Sequence, residues 1–194
     1  MMEQMVRRLV SRMEQNHLIM PDQLESYIYV LQLKVESVIS IVCLVALSCL
    51  FQTVIPTIFF LIAAVALKRR CGGIHADTFA QCLGSTAIIY IVFVKYILPL
   101  MLENIRITYF IYNVAFVIIE AIGAFNHPNM NWSREEYKKT KTLARRTAFI
   151  QLLVTMTLSV LNVDRTTIIF LMFAMMFSAI LLLLAKIFVK EVRL

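Results

Sequence analysis

Residues 166–188 have the sequence TTIIFLMFAMMFSAILLLLAKIF, in which Lys186 is the single charged residue. A helix of this length crosses a hydrocarbon core of about 30 Å. Two further long apolar runs cover residues 79–101 and 105–125. Such runs predict membrane-spanning α-helices, because a helix satisfies its own backbone hydrogen bonds where lipid offers no partners.

The composition of the whole chain also indicates a membrane protein. Of its 194 residues, 60% are hydrophobic and 16% are charged, whereas soluble proteins average about 45–50% and about 25%. So much apolar surface argues against a soluble globule of this size and excludes a disordered chain. The four cysteines are too few for a disulfide-stapled secreted domain.

The remaining apolar segments raise the predicted number of spans to six. Residues 37–67 carry no formal charge, but Gln52, Thr53 and Pro56 interrupt their middle. We therefore expect a hairpin of two short helices, 37–51 and 53–67, each below the usual minimum of about 17 residues. Residues 147–163 and 166–188 form the last pair. The predicted fold is all-α, a multi-pass membrane domain of about six spans.

The basic residues predict how these spans are oriented. Most of the 19 lysines and arginines lie at the N-terminus, after the second span, after the fourth span and at the C-terminus. An even number of spans places these four segments on one side, which the positive-inside rule identifies as cytoplasmic. The net charge of +7 therefore reflects topology, and we expect no nucleic-acid partner. Both termini are expected in the cytoplasm of a cell that carries this protein in its membrane.

The first 34 residues are predicted to form amphipathic helices at the cytoplasmic face, followed by a membrane domain in residues 35–194. Apolar residues recur at helical spacing in the first of them: Met2, Met5, Val6, Leu9 and Met13. Pro21 is suited to open a second helix. Two interpretations stay open here, a membrane-lying anchor in contact with lipid and a docking surface for another amphipathic helix.

The residues best suited to chemistry lie after the second predicted span. Gly72 and Gly73 permit unusual backbone conformations or the close approach of a substrate, and His75 and Cys82 follow them. On an unbroken helix the Cα atoms of His75 and Cys82 would lie roughly 10 Å apart, too far for a hydrogen bond. A break in the helix between them is therefore required if they are to act together.

The segment Thr78-Phe79-Ala80-Gln81 offers that break, because it matches the S/T-x-x-E/Q capping box that begins a helix. Thr78 would be the N-cap and Cys82 the fourth helical residue. The positive end of the helix dipole would favour the thiolate of Cys82, and His75 would lie in a loop free to fold back over it. The simpler interpretation is a packed cysteine, a loop histidine and a plain glycine turn.

A zinc site is a competing idea for the same loop. It would need three or four ligands, and His75, Cys82, Cys71 and Asp77 do not match the spacing of a structural zinc site. We therefore expect neither a metal nor another cofactor. Cys43 and Cys49 lie in the first apolar span and are interpreted as packing or lipid-facing residues.

Glu120 is an ionisable residue inside the fourth predicted span, close to its cytoplasmic end. It is a candidate to orient His75, as a carboxylate does in a catalytic triad. The alternative is a helix-end carboxylate that meets lipid headgroups or a loop cation. The basic loop that follows would attract anionic lipid or an acidic peptide.

With these residues in view, the chain resembles the accessory gene regulator protein B (AgrB) family of bacterial membrane cysteine endopeptidases, which process quorum-sensing pro-peptides. The resemblance rests on Lys68-Arg69-Arg70, on Gly72-Gly73-Ile74-His75, and on Cys82 seven residues after the histidine. The stretch His127-Pro128-Asn129 and the basic residues after it also look like the family's second cytoplasmic loop.

The resemblance implies a nucleophilic Cys82 with His75 as its base. The substrate would be a short pro-peptide with an amphipathic leader, a cysteine-containing core and an acidic tail. The enzyme would remove the tail, hold the core as a thioester and promote its closure to a thiolactone or lactone signal. Tentative substrate-binding residues stand at the start of the loop: Lys68, Arg69, Arg70, Gly72 and Gly73. The family is described as dimeric, which adds a homodimer to the expected partners.

Two other classes of function fit the sequence less well. A small membrane transporter or exporter of peptides would have broken helices and several polar groups at mid-membrane, and this chain has few of either. A non-catalytic assembly or anchor protein would leave the cluster of glycine, histidine and cysteine without a reason.

Overall fold

A computed structural model describes residues 2–15, 24–72, 78–126 and 133–188. Within these ranges the regular structure is entirely helical, which confirms the all-α prediction there. We number seven helices in chain order: α1 Met2–Gln15, α2 Leu24–Leu50, α3 Val54–Cys71, α4 Phe79–Glu103, α5 Ile105–Ile122, α6 Arg134–Val160 and α7 Arg165–Phe188.

Three helices of the described residues are long and apolar enough to cross a membrane, namely α4, α5 and α7. They coincide with three of the apolar runs of the sequence, residues 79–101, 105–125 and 166–188. The other predicted spans correspond to parts of α2, α3 and α6, and their insertion stays a prediction. α3 has 18 residues, and its last turn carries Lys68, Arg69 and Arg70, so its apolar part is short.

The predicted hairpin between the first two spans is present as a tight turn. α2 ends at Leu50 and α3 begins at Val54, and the Thr53 N–H donates a hydrogen bond to the Ser48 carbonyl at 2.9 Å. Gln52 takes a positive φ of 55° in this turn. Pro56 lies in the first turn of α3, where a backbone N–H has no helical partner to lose.

α2 differs from the prediction in length. It runs unbroken from Leu24 to Leu50, where the sequence suggested a surface helix followed by a separate span from residue 37. No glycine or proline interrupts this segment. Two of its polar side chains form a hydrogen bond one helical turn apart, in which Gln32 Nε2 donates to Glu36 Oε1 at 3.0 Å. The division of the chain at residue 34 stays a prediction.

α6 also differs, because it includes much of the segment interpreted as the second cytoplasmic loop. Ser133 Oγ accepts from the Glu136 N–H at 3.3 Å, and Glu136 Oε2 accepts from the Ser133 N–H at 2.9 Å. This complete capping box begins the helix, and lysine, arginine and glutamate are strong helix formers. The hydrogen bond from Ser133 lowers the pKa of Glu136.

The chain divides into two compact units, Met1–Leu44 and Val45–Leu194. In the first unit, Val6 and Val10 of α1 are buried together with Ile28 of α2. Val6 and Val10 are thus covered on the side of α1 that meets Ile28, while Arg7, Arg8 and the apolar Leu9 are exposed. Placement of this unit on a membrane surface stays a prediction.

In the second unit α7 is the central helix. Every residue from 167 to 176 is buried, and α3, α5 and α6 pack around it. The Gln151 amide of α6 donates to the Leu171 carbonyl at 2.9 Å, and the ring of Phe93 in α4 stacks on Phe173 with centroids 3.7 Å apart. These contacts fix the positions of the helices that lead into the candidate site.

Candidate active site

Cys82 lies in the first turns of α4, as the capping motif predicts. Thr78 has an extended backbone, and its side-chain oxygen accepts from the Gln81 N–H at 3.3 Å. The Cys82 N–H donates to the Thr78 carbonyl at 3.1 Å. Thr78 is therefore the N-cap and Cys82 the fourth helical residue, which confirms both predictions. The partial positive charge at this helix end favours an anion such as a thiolate.

Cys71, at the end of α3, is in the opposite environment. It is completely buried, and burial raises the pKa of its thiol from 9.0 to about 12. It therefore stays protonated at neutral pH, and its last-turn position puts it at the negative end of the helix dipole. Cys82 is half-buried and so open to a reactant. Of the two thiols on either side of residues 73–77, Cys82 is the more accessible.

The first half of α4 packs little against the rest of the described residues. Tyr90 is the single buried residue between Phe79 and Val92. Its hydroxyl oxygen lies 2.9 Å from Thr53 Oγ1 and 2.7 Å from Thr57 Oγ1. Cys82 precedes Tyr90 by about 12 Å of helix rise. Tyr90 is thus the buried contact of this half of α4, and the turn that carries Cys82 is partly exposed.

The basic run of the glycine loop lies in the last turn of α3. Arg70 donates a hydrogen bond to Thr147 of α6, whereas Arg69 is exposed. Cations in the last turn of a helix complement its dipole. Gly72 follows with a φ of +73°, and its N–H donates to the Lys68 carbonyl at 3.1 Å. This positive φ requires the glycine, since other residues rarely adopt it.

The end of α5 and the residues that follow it differ from the prediction. The predicted fourth span extended to residue 125, but α5 ends at Ile122, and Gly123 has a φ of +79°. The next residues fold against the end of α3, where the Phe125 N–H donates to the Cys71 carbonyl at 2.9 Å. Gly123 itself was the available signal, because glycine commonly ends a helix.

For several predicted site residues the structure gives no interaction partner. His75, Gly73 and Asp77 lie outside the described residues, as does the stretch His127-Pro128-Asn129. Glu120 is half-buried in the last turn of α5 and makes no hydrogen bond or ion pair with any described residue. Its role in orienting His75 therefore stays a prediction. Across the described ranges, no three histidine, cysteine or acidic side chains are grouped to hold a metal ion.

These observations define an integral membrane protein, with apolar helices and an accessible cysteine at the start of one of them. The family model for accessory gene regulator B matches residues 4–189, and the chain belongs to this family. It is a family of peptide-processing proteins associated with quorum-sensing pro-peptides. No curated protein and no solved structure matches the chain significantly.

Proposed function

We propose that this protein is a cysteine endopeptidase of the bacterial cell membrane that removes the C-terminal tail of an autoinducing-peptide precursor and promotes closure of the remaining core to a ring. Cys82 is the nucleophile and His75 is its base. The observation that carries this proposal is the position of Cys82, half-exposed at the N-terminus of α4, while Cys71 is buried with a raised pKa.

The first step is acyl transfer to the enzyme. His75 takes the proton of the Cys82 thiol, and the sulfur attacks the carbonyl carbon of the peptide bond before the tail. The tail leaves as an amine after receiving that proton from the histidine. The core is then held as a thioester on Cys82.

The second step closes the ring. A cysteine thiol or serine hydroxyl of the core loses its proton to His75 and attacks the thioester carbonyl, and Cys82 leaves as a thiolate. When the attacking group is a thiol, one thioester replaces another, so no ATP is required. Water must be kept from the thioester, and a site at the membrane boundary serves that need.

Substrate binding is proposed to use charge and the open face of α4. Lys68, Arg69 and Arg70 would attract the acidic tail, and Gly72 and Gly73 would allow the peptide backbone to approach closely. The amphipathic leader would bind at the cytoplasmic membrane surface beside lipid. In this proposal six spans place both termini and the site on the cytoplasmic side, and the protein acts as a homodimer.

The experiment that tests the function is co-expression with a candidate pro-peptide, followed by measurement of intact peptide mass. The wild-type protein should release the tail and leave a core lighter by one water than the hydrolysed fragment. Cys82→Ala should lower tail release by at least about 10³-fold, the scale of losing a nucleophile. Cys49→Ala, an exposed cysteine of α2, is the matched control and should process normally. Unchanged cleavage in Cys82→Ala would refute the assignment.

A further inference from the structure

Four consecutive residues after α5 are buried although none of them belongs to a helix: Gly123, Ala124, Phe125 and Asn126. We refer to them as the 123–126 segment. Buried backbone outside regular structure needs hydrogen bonds from elsewhere. The contacts of this segment therefore show what it connects.

On one side the 123–126 segment is held by α6. The Tyr137 hydroxyl donates to the Ala124 carbonyl at 3.2 Å, and Arg145 Nη2 donates to the Ala121 carbonyl, at the end of α5, at 3.3 Å. The aliphatic stem of Lys141 lies over Gly123 so closely that an added Cβ would come 2.4 Å from its Cγ. The basic part of α6 thus fixes the segment.

On its other side the same segment contacts the exit from α3. The Phe125 N–H bonds to the Cys71 carbonyl at 2.9 Å, and a Cβ added to Gly72 would come 3.0 Å from the Phe125 carbonyl oxygen. The backbone at Cys71 and Gly72, where α3 ends, is therefore held by contact with Phe125. His75 is three residues further on, and three residues extend about 11 Å at most.

We propose that the 123–126 segment is a positioning segment for catalysis, which sets the path of the chain at Gly72 and thereby places His75 for proton transfer with Cys82. The inference rests on the proposed function. The segment itself touches neither the reacting atoms nor the substrate in this scheme, and it acts through the glycine loop.

The test measures the rate at which iodoacetamide alkylates Cys82 in purified full-length protein at neutral pH. The mass of the peptide that contains Cys82 reports the extent of alkylation. Gly123→Ala forces a side chain into a positive φ against Lys141, and Tyr137→Phe removes one hydroxyl that holds the segment. Gly84→Ala is the control, since a Cβ at Gly84 meets nothing within 4 Å. Thermal unfolding of each variant is measured in parallel, and the alkylation pH profile is recorded from pH 5 to 10.

We expect His75→Ala to slow alkylation at neutral pH by about tenfold, because an adjacent histidine promotes thiolate formation. Gly123→Ala should reproduce that loss and the altered pH profile, Tyr137→Phe should show a smaller loss, and Gly84→Ala should match the wild type. If Gly123→Ala does not fold, Tyr137→Phe decides.

The inference would be overturned if Gly123→Ala and Tyr137→Phe, where folded, were alkylated at the wild-type rate while His75→Ala was alkylated slowly. The proposed function would still stand in that case. Wild-type alkylation and processing in His75→Ala would remove the base from the proposed function, and the inference would fall with it.

Discussion

The C-terminal end of α3 and the N-terminal end of α4 lie on either side of residues 73–77, and each carries a cysteine. At the α3 end Cys71 is fully buried, with a thiol pKa of about 12, and the backbone is bonded to Phe125. At the α4 end Cys82 is half-buried on a helix whose next buried residue is Tyr90. A cysteine is thus buried at one helix end and accessible at the other. Burial and the negative helix end both disfavour a thiolate at Cys71, whereas the positive helix end favours an anion near Cys82.

The largest effect that bears on this comparison is expected from His75→Ala. Loss of a general base typically costs about 10²–10⁴-fold, so tail release should nearly stop while Cys82 stays in place. Alkaline pH should restore much of the rate, since hydroxide then generates the thiolate. Tail release measured by peptide mass from pH 6 to 10 checks this. A flat pH profile in the variant would show that the histidine does not act as base.

The second prediction concerns Cys71 directly. A rise in pKa from 9.0 to about 12 is a shift of 12 − 9.0 = 3, which lowers the thiolate fraction about a thousandfold at neutral pH. Iodoacetamide should therefore label Cys82 at least about 10³ times faster than Cys71 in folded protein. Peptide mapping measures both rates in one sample. Equal labelling would show that the two helix ends do not differ as described.

The same raised pKa makes stability depend on pH. The unfolded thiol ionises near 9.0 and the folded one near 12, so its contribution to stability is present below pH 9 and is lost as pH rises toward 12. Cys71→Ala should be less stable than the wild type at neutral pH and should lack this alkaline loss.

A smaller effect is expected at the point that holds α4. Tyr90→Phe removes the hydroxyl that lies between Thr53 and Thr57, which should cost about 1–2 kcal/mol of stability. Tail release should also fall a few-fold, because Cys82 is positioned through this residue. Tyr96→Phe is the matched control, an exposed tyrosine of the same helix. Equal effects of the two variants on unfolding and on processing would contradict the role of Tyr90.

The smallest effect is expected from Glu120→Gln. This half-buried residue at the end of α5 bonds to no described residue. If it orients His75, the variant should lose activity about twofold with little change in KM, since a positioning group acts on the chemical step. Kinetics at several pro-peptide concentrations measure both quantities. Full activity would exclude the triad and leave Cys82 and His75 as a pair.

Much of the local structure could be predicted because its signals lie within a few residues. Thr78 begins α4, Gln52 and Thr53 turn the hairpin, and the long apolar runs form α4, α5 and α7. The capping box at Ser133 is an equally local signal, but the cations that follow it suit a loop as well as a helix. Local signals fail when one pattern fits two structures, as with charged residues that suit both loops and exposed helices.

Local sequence specifies a helical membrane protein, the start of α4 and the position of Cys82 near that start, because apolar runs and caps act through neighbours in the chain. Long-range packing specifies which cysteine is buried, which groups bond to Tyr90, and how the 123–126 segment meets the end of α3. Those properties depend on atoms brought together from distant parts of the chain, such as the Phe125 N–H and the Cys71 carbonyl. Burial and buried hydrogen bonds are set by such packing and not by local residue pattern.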